Sequence, residues 1–141
     1  MKKIVFHLLV FSVLFFSCKK DDNNPSISTS NVTSTVSTGN WRITYYWDTD
    51  HDETNNFIGY SFVFNTNGTV TATKAANTIT GTWTTRNDDN KIKLVLSFSS
   101  PADFIEISDD WHTIERTDSK IKLQDVSGGN GGTDYLTFEK N

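Results

Sequence analysis

From residue 39 to residue 141 the chain is a run of short segments in which apolar and polar residues alternate, each closed by turn-forming residues. Alternation with period two marks a strand with one buried face, and short connections force neighbouring strands to run antiparallel. The segments are 40–47, 57–65, 69–74, 78–86, 91–98, 111–117, 120–126 and 134–140. In the first, Trp41, Ile43, Tyr45 and Trp47 share one face, and Arg42, Thr44 and Tyr46 the other. Later segments present Tyr60, Phe62 and Phe64; Val70 and Ala72; Ile79, Gly81 and Trp83; then Ile92, Leu94, Leu96 and Phe98. In the segment that opens at Trp111, alternation puts His112, Ile114 and Arg116 on the opposite face.

Turn residues sit between these runs. Asn65-Thr66-Asn67-Gly68 is a hairpin turn, because Asn-Gly readily supplies positive φ. Asn87-Asp88-Asp89-Asn90 and Asp118-Ser119 are further turns, and Pro101 opens a single helical turn through Glu106. Eight antiparallel strands in sequence order can close on themselves and so remove their exposed edges. The expected fold is all-β, an eight-stranded up-and-down barrel, with a sandwich of two four-stranded sheets as the alternative.

The 103 residues from Gly39 onward suffice for one small domain. Ten Phe, four Tyr and four Trp against one Met and two Pro are strand chemistry. The 17 acids and 13 bases give −4, and losing Lys2 and Lys3 with a cleaved leader leaves 11 bases and about −6. That balance argues against binding nucleic acid or an anionic membrane surface through a basic patch.

The first residues carry an address. Lys2 and Lys3 precede an apolar run, residues 4–16, broken only by His7 and Ser12 and too short to span a bilayer as a helix. It ends in Leu14-Phe15-Phe16-Ser17-Cys18, with the chain's only cysteine. This resembles a loose lipobox of bacterial lipoproteins. The resemblance implies a signal peptide over 1–17, a diacylglyceryl thioether on Cys18 and acylation, of the palmitate type, of the freed amine. Two or three acyl chains give stable anchoring. Lys19-Lys20-Asp21-Asp22 resembles the tract that sends lipoproteins of the Bacteroidetes to the outer face of the outer membrane; a periplasm-facing anchor is the alternative. Residues 18–38, rich in Ser, Thr and Asn, are expected to be a flexible tether with a coil length of roughly 25 Å.

Gly39-Asn40-Trp41 on the first strand resembles the lipocalin Gly-x-Trp signature, in which glycine admits the chain to the strand and tryptophan plugs the closed end. Residues 39–141 as a whole resemble the lipocalin-like lipoproteins common in Bacteroidetes. Two departures stand out. The chain stops at its last strand with no following helix, and Lys140 stands where a late arginine would cover the tryptophan. A second Gly-x-Trp, Gly81-Thr82-Trp83, reads as a bend in a strand with a tryptophan filling it.

Few residues suggest chemistry. Asp48, Asp50 and Asp52 occupy positions 1, 3 and 5 of a calcium-loop pattern that then fails at Glu53 and Gly59. They are the candidates for a weak Ca²⁺ site, against a solvated acidic loop; no other cofactor is expected. The run Gly128-Gly129-Asn130-Gly131-Gly132 lacks the Lys-Ser/Thr of a phosphate loop and reads as a rim loop. His112 lies beside Asp109 and Asp110, but no nucleophile accompanies them, so no enzyme is expected.

The resemblance implies non-catalytic binding of a small apolar or amphipathic molecule in the barrel mouth, with Tyr45, Phe62, Trp83, Leu94 and Trp111 as interior candidates. The same side chains can equally fill a small barrel. The alternative is therefore an interaction module with no internal ligand, engaging a protein or glycan through rim loops such as Asp48–Asn56 and Gly128–Gly132, with exposed aromatics such as Tyr46 on its outside. The expected partners are the outer membrane through the lipid anchor and a small hydrophobic ligand, on a monomer.

Overall fold

The computed structural model describes residues 27–126 and 132–141. Cys18, the leader, the first part of the tether and Gly128 to Gly131 lie outside the described residues. Nine antiparallel strands follow one another: β1 (Trp41–Asp48), β2 (His51–Asp52), β3 (Ser61–Phe64), β4 (Thr69–Lys74), β5 (Asn77–Asp88), β6 (Lys91–Ser97), β7 (Asp110–Arg116), β8 (Lys120–Val126) and β9 (Thr133–Lys140). β2 is a two-residue extension paired to the end of β1, and the other eight form the sheet β1-β3-β4-β5-β6-β7-β8-β9. β1 also pairs β9 through six residue pairs, from Trp41↔Lys140 to Trp47↔Tyr135. That pairing closes the sheet into an up-and-down barrel and removes the two-sheet alternative.

The turns obey their local chemistry. Gly68 stands at φ +85° and donates its N–H to Asn65 O at 3.0 Å. Asp89 and Asn90 both take positive φ, 49° and 61°, the primed geometry that matches strand twist. Gly81, extended in β5, has Phe98 pressed on its backbone: a Cβ there would meet Phe98 Cδ1 and Ser97 O at 2.5 Å.

Two β-bulges alter the faces expected from strict alternation. In β1 the register shifts between Ile43 and Tyr45. Trp41 and Ile43 point inward, Tyr46 follows them, and Tyr45 is turned outside. In β7 the shift falls between Thr113 and Glu115, so Trp111 and Thr113 point inward and Arg116 joins them, while Ile114 stays outside. An extra residue in one strand inverts the alternation beyond it. Tyr45 is thus not an interior residue, and Arg116 does not share a face with His112.

The residues expected to form the flexible tether contain a helix instead. α1 (Thr29–Val36) closes one end of the barrel. Its sequence is a poor helix former, rich in Thr and Ser. Ser28 caps it by accepting Asn31 N–H at 3.2 Å, and Val32 and Val36, one helical turn apart, are fully buried. Thr33 and Thr85 hydroxyls meet at 2.6 Å, tying α1 to β5. Burial of two valines and the cap outweigh the weak propensity.

The opposite end is closed by two short pieces. The strand expected from Phe57 begins only at Ser61, because residues Thr54–Phe57 form a 3₁₀ turn that drops Phe57 into the barrel mouth. Helix α2 (Ala102–Glu106), expected from Pro101, places Phe104 against it at 5.5 Å between ring centroids. Phe104 also packs on Tyr60 and Phe98, each at 5.1 Å. Edge-on aromatic pairs contribute about 0.5–1.5 kcal/mol each beyond area burial.

Candidate functional site

Four of the five interior candidates are inside, each packed on neighbours of its own. Phe62 stacks with Phe104 at 5.9 Å and meets Phe138 edge-on at 5.3 Å. Trp83 packs on Phe64 at 5.6 Å and donates its indole N–H to Asn65 O at 2.9 Å. Trp111 donates to Ile107 O at 2.9 Å, beside Tyr46. Leu94 is fully buried opposite Trp111. Tyr46, which alternation assigned to the outside, is buried, and its hydroxyl donates to Glu106 O at 3.3 Å. Burial, then the nearby Asp48 and Glu106 carboxylates, push its phenol well above the ordinary range.

At the α1 end, Gly39 takes φ +83° and Trp41 is fully buried, donating Nε1–H to Val36 O at 2.9 Å. Lys140 lies over the Trp41 ring with Nζ 5.1 Å from its centroid, in the place the lipocalin resemblance assigns to an arginine. A buried arginine is also present here, but from β7: Arg116 Nη1 donates to Thr35 Oγ1 at 2.7 Å.

The acidic loop does not gather its three aspartates. Asp50 and Glu53 hold His51 between them, Nδ1 to Asp50 at 2.5 Å and Nε2 to Glu53 at 2.8 Å. Those two hydrogen bonds raise the His51 pKa. Asp52 accepts Thr54 N–H at 2.9 Å, and the Thr54 hydroxyl, followed by that N–H, lowers the Asp52 pKa. The donors that do converge, within 4.8 Å of one another, belong to Asp48, His51 and Glu53. Burial, followed by neighbouring Glu53, pushes the Glu106 carboxyl up. Among the described residues His112 has no carboxylate partner of its own. Burial and then Lys91 and Lys93 lower its pKa, while Asp110 is engaged by Arg86 and by Lys93 at 3.4 Å.

The outer face carries a feature the strand pattern did not reveal. Tyr45, Thr137, Lys122 and Glu115 form one cross-strand row over β1, β9, β8 and β7. Above and below it stand Tyr135 and Ile114, with Lys120 and Glu139 paired at 3.1 Å. Together they line a groove of about 370 Å³ open to solvent. Tyr45, Ile114 and Tyr135 are 38%, 40% and 36% exposed, so three of the exposed large apolar side chains meet in one concavity. Lys122 is paired with Glu115 at 2.7 Å, which sets its aliphatic stem along the groove.

No family model and no curated protein matches the chain. Among solved structures, it is similar to a DUF4847 family protein from Bacteroides vulgatus ATCC 8482, with a TM-score of 0.54 and 17% identity over 78% of this chain and 97% of that one. At that identity the likeness concerns the fold.

Proposed function

We propose that the protein is a lipid-anchored, surface-exposed binding module without catalytic activity, whose barrel is a filled scaffold and whose outer groove receives a glycan. The observation that supports this reading is the contrast between the two faces. Inside, aromatic side chains pack on one another and both ends are covered; outside, Tyr45, Ile114 and Tyr135 stand exposed in a single groove. At about 370 Å³ the groove fits one or two sugar rings. A protein partner needs about 800 Å² of matched surface on each side. Tyrosine faces stack on sugar rings, and Thr137, Lys120 and Glu139 supply hydrogen-bonding groups around them. Anchoring through Cys18 is carried by the leader sequence, and exposure at the cell surface by the charged tract that follows it.

Glycan-array screening of the full chain, followed by titration of the best hit, tests the groove. Tyr45→Ala and Tyr135→Ala should each weaken binding about tenfold while leaving the melting temperature nearly unchanged. Retention of full affinity in both variants would remove the groove from the account.

A second reading, a small apolar ligand inside the barrel, is favoured by one observation: α1 covers its end of the barrel with a single helix of eight residues that buries Val32, Thr35 and Val36. Native mass spectrometry separates the two. A bound mass lost on organic extraction supports the interior carrier, and a clean apo mass together with glycan binding supports the outer groove.

A further inference from the structure

We propose that the α1 end of the barrel holds a binding site for an oxyanion of the phosphate class, centred on Arg116. The argument starts from charge accounting. The Arg116 side chain is 9% exposed and offers five N–H donors. Among the described residues its one hydrogen bond goes to the neutral Thr35 hydroxyl, and its Nε has no partner at all. The nearest carboxylate, Asp118, lies at 3.9 Å and is fully exposed, so water screens it. A buried guanidinium with so little compensation is unfavourable unless an anion completes its shell.

The surroundings supply the rest of such a shell. Arg116 and Lys140 line a solvent-open groove of about 390 Å³ between α1 and the barrel, with the exposed Asp118 carboxylate also at its edge, so the groove carries two cations against one acid. Lys140 lies over Trp41 and makes no ion pair among the described residues. Thr35 Oγ1 accepts from Arg116 and keeps its own hydrogen to donate. The hydroxyls of Ser34 and Thr38 already donate to helix carbonyls at 2.8 Å, so the anion's contacts fall to Arg116, Lys140 and Thr35. Two cations and a hydroxyl around a groove match the several acceptors of a tetrahedral oxyanion better than a halide. In a chain of net charge −4, this local excess of positive charge is the reverse of the overall balance.

The oxyanion has two possible sources, free phosphate or the phosphate of a lipid headgroup. The second source rests on the lipid-anchor reading: α1 starts eleven residues after Cys18, a reach of at most about 40 Å.

The test follows the side-chain Nε–Hε signals of the ¹⁵N-labelled full chain in nonionic detergent. The chain has three arginines, Arg42, Arg86 and Arg116, so the signals are separable. Inorganic phosphate at constant ionic strength should move the Arg116 signal saturably, and chloride should not. Lys140→Gln should raise the half-saturation concentration about tenfold, and Arg116→Lys, followed at the Thr35 backbone amide because its own Nε–Hε signal is gone, should abolish saturation. Vesicles of phosphatidylcholine carrying phosphatidic acid form the second arm. An Arg116 shift there, competed by phosphate, assigns the headgroup as source; a response to free phosphate alone assigns the soluble anion. Equal movement in chloride and phosphate, or no loss in Lys140→Gln, overturns the proposal. Neither result depends on the outer groove, since Tyr45→Ala should leave the phosphate response intact.

Discussion

Val36→Ala measures whether α1 belongs to the folded domain. Val36 is 1% exposed and its carbonyl receives the Trp41 indole N–H, so its side chain sits directly on the barrel's terminal tryptophan. Alanine removes two methyl-sized groups from a closed environment. At about 0.8 kcal/mol each, the transfer term is about 1.6 kcal/mol, and incomplete collapse of the space left behind brings the loss to about 2–3 kcal/mol. For a domain of this size that lowers the melting temperature by about 8–12 °C. The assay is thermal unfolding followed by tryptophan emission, because Trp41 reports on the same contact. Ser34→Ala, on the exposed side of α1, is the control and should stay within about 0.5 kcal/mol of the parent. Native-state hydrogen exchange adds a second readout, since α1 amides should be protected in the parent and lose protection in Val36→Ala. If the melting temperature does not move and the amides of Thr33 and Val36 already exchange at the random-coil rate, then the Ser/Thr composition decides the matter and the helix contributes nothing.

Three further outcomes are expected. Gly81→Ala forces a Cβ into Phe98 and the Ser97 carbonyl, and should destabilise by about 1–3 kcal/mol in chemical denaturation. Glu106 has its folded pKa raised, so its protonated form stabilises fully below about pH 4.3, and that contribution is lost as pH rises through the folded value. Glu106→Gln should therefore melt higher than the parent at neutral pH and equal to it near pH 3, and a lower melting point at neutral pH would contradict the sign. Calcium added to about millimolar concentration should leave the melting temperature unchanged, because Asp50 and Asp52 are engaged by His51 and Thr54; a saturable rise lost in Asp50→Asn would restore the alternate-aspartate site.

The barrel was legible because its information is local. Strand runs, Asn-Gly and Asp-Asn turns and the Pro101 helix each follow from a few neighbouring residues, and closure follows from eight antiparallel strands with no edge to spare. α1 was not legible for the opposite reason. Its propensities argue against a helix, and two of the contacts that stabilise it, Thr85 and Arg116, lie far along the chain, while the third, the Trp41 ring, is itself fixed only once the barrel has formed. Phe57 was misplaced by the same limitation, since an aromatic beside Tyr60 and Phe62 reads as strand until Phe104 is known to receive it.

The outer groove depends on two bulges that no alternation pattern contains. Without the shift in β1, Tyr45 would enter the barrel and Tyr46 would face water; without the shift in β7, Arg116 would lie outside. The first bulge sends a tyrosine out to stand beside Tyr135, and the second turns Glu115 out to pair with Lys122, Ile114 being outside in either register. The second bulge also turns Arg116 in under α1, where its charge lacks a close partner. Each bulge thus leaves one side chain in an environment that strict alternation would have spared it: an exposed aromatic in one case, a buried cation in the other. Bulges of this kind re-aim side chains at the rims of barrels. Deleting Thr44, the unpaired residue of the first bulge, would restore strict alternation with Tyr45 still outside and Tyr46 still inside, so the outer groove and the Tyr46 hydroxyl contact to α2 should both survive it.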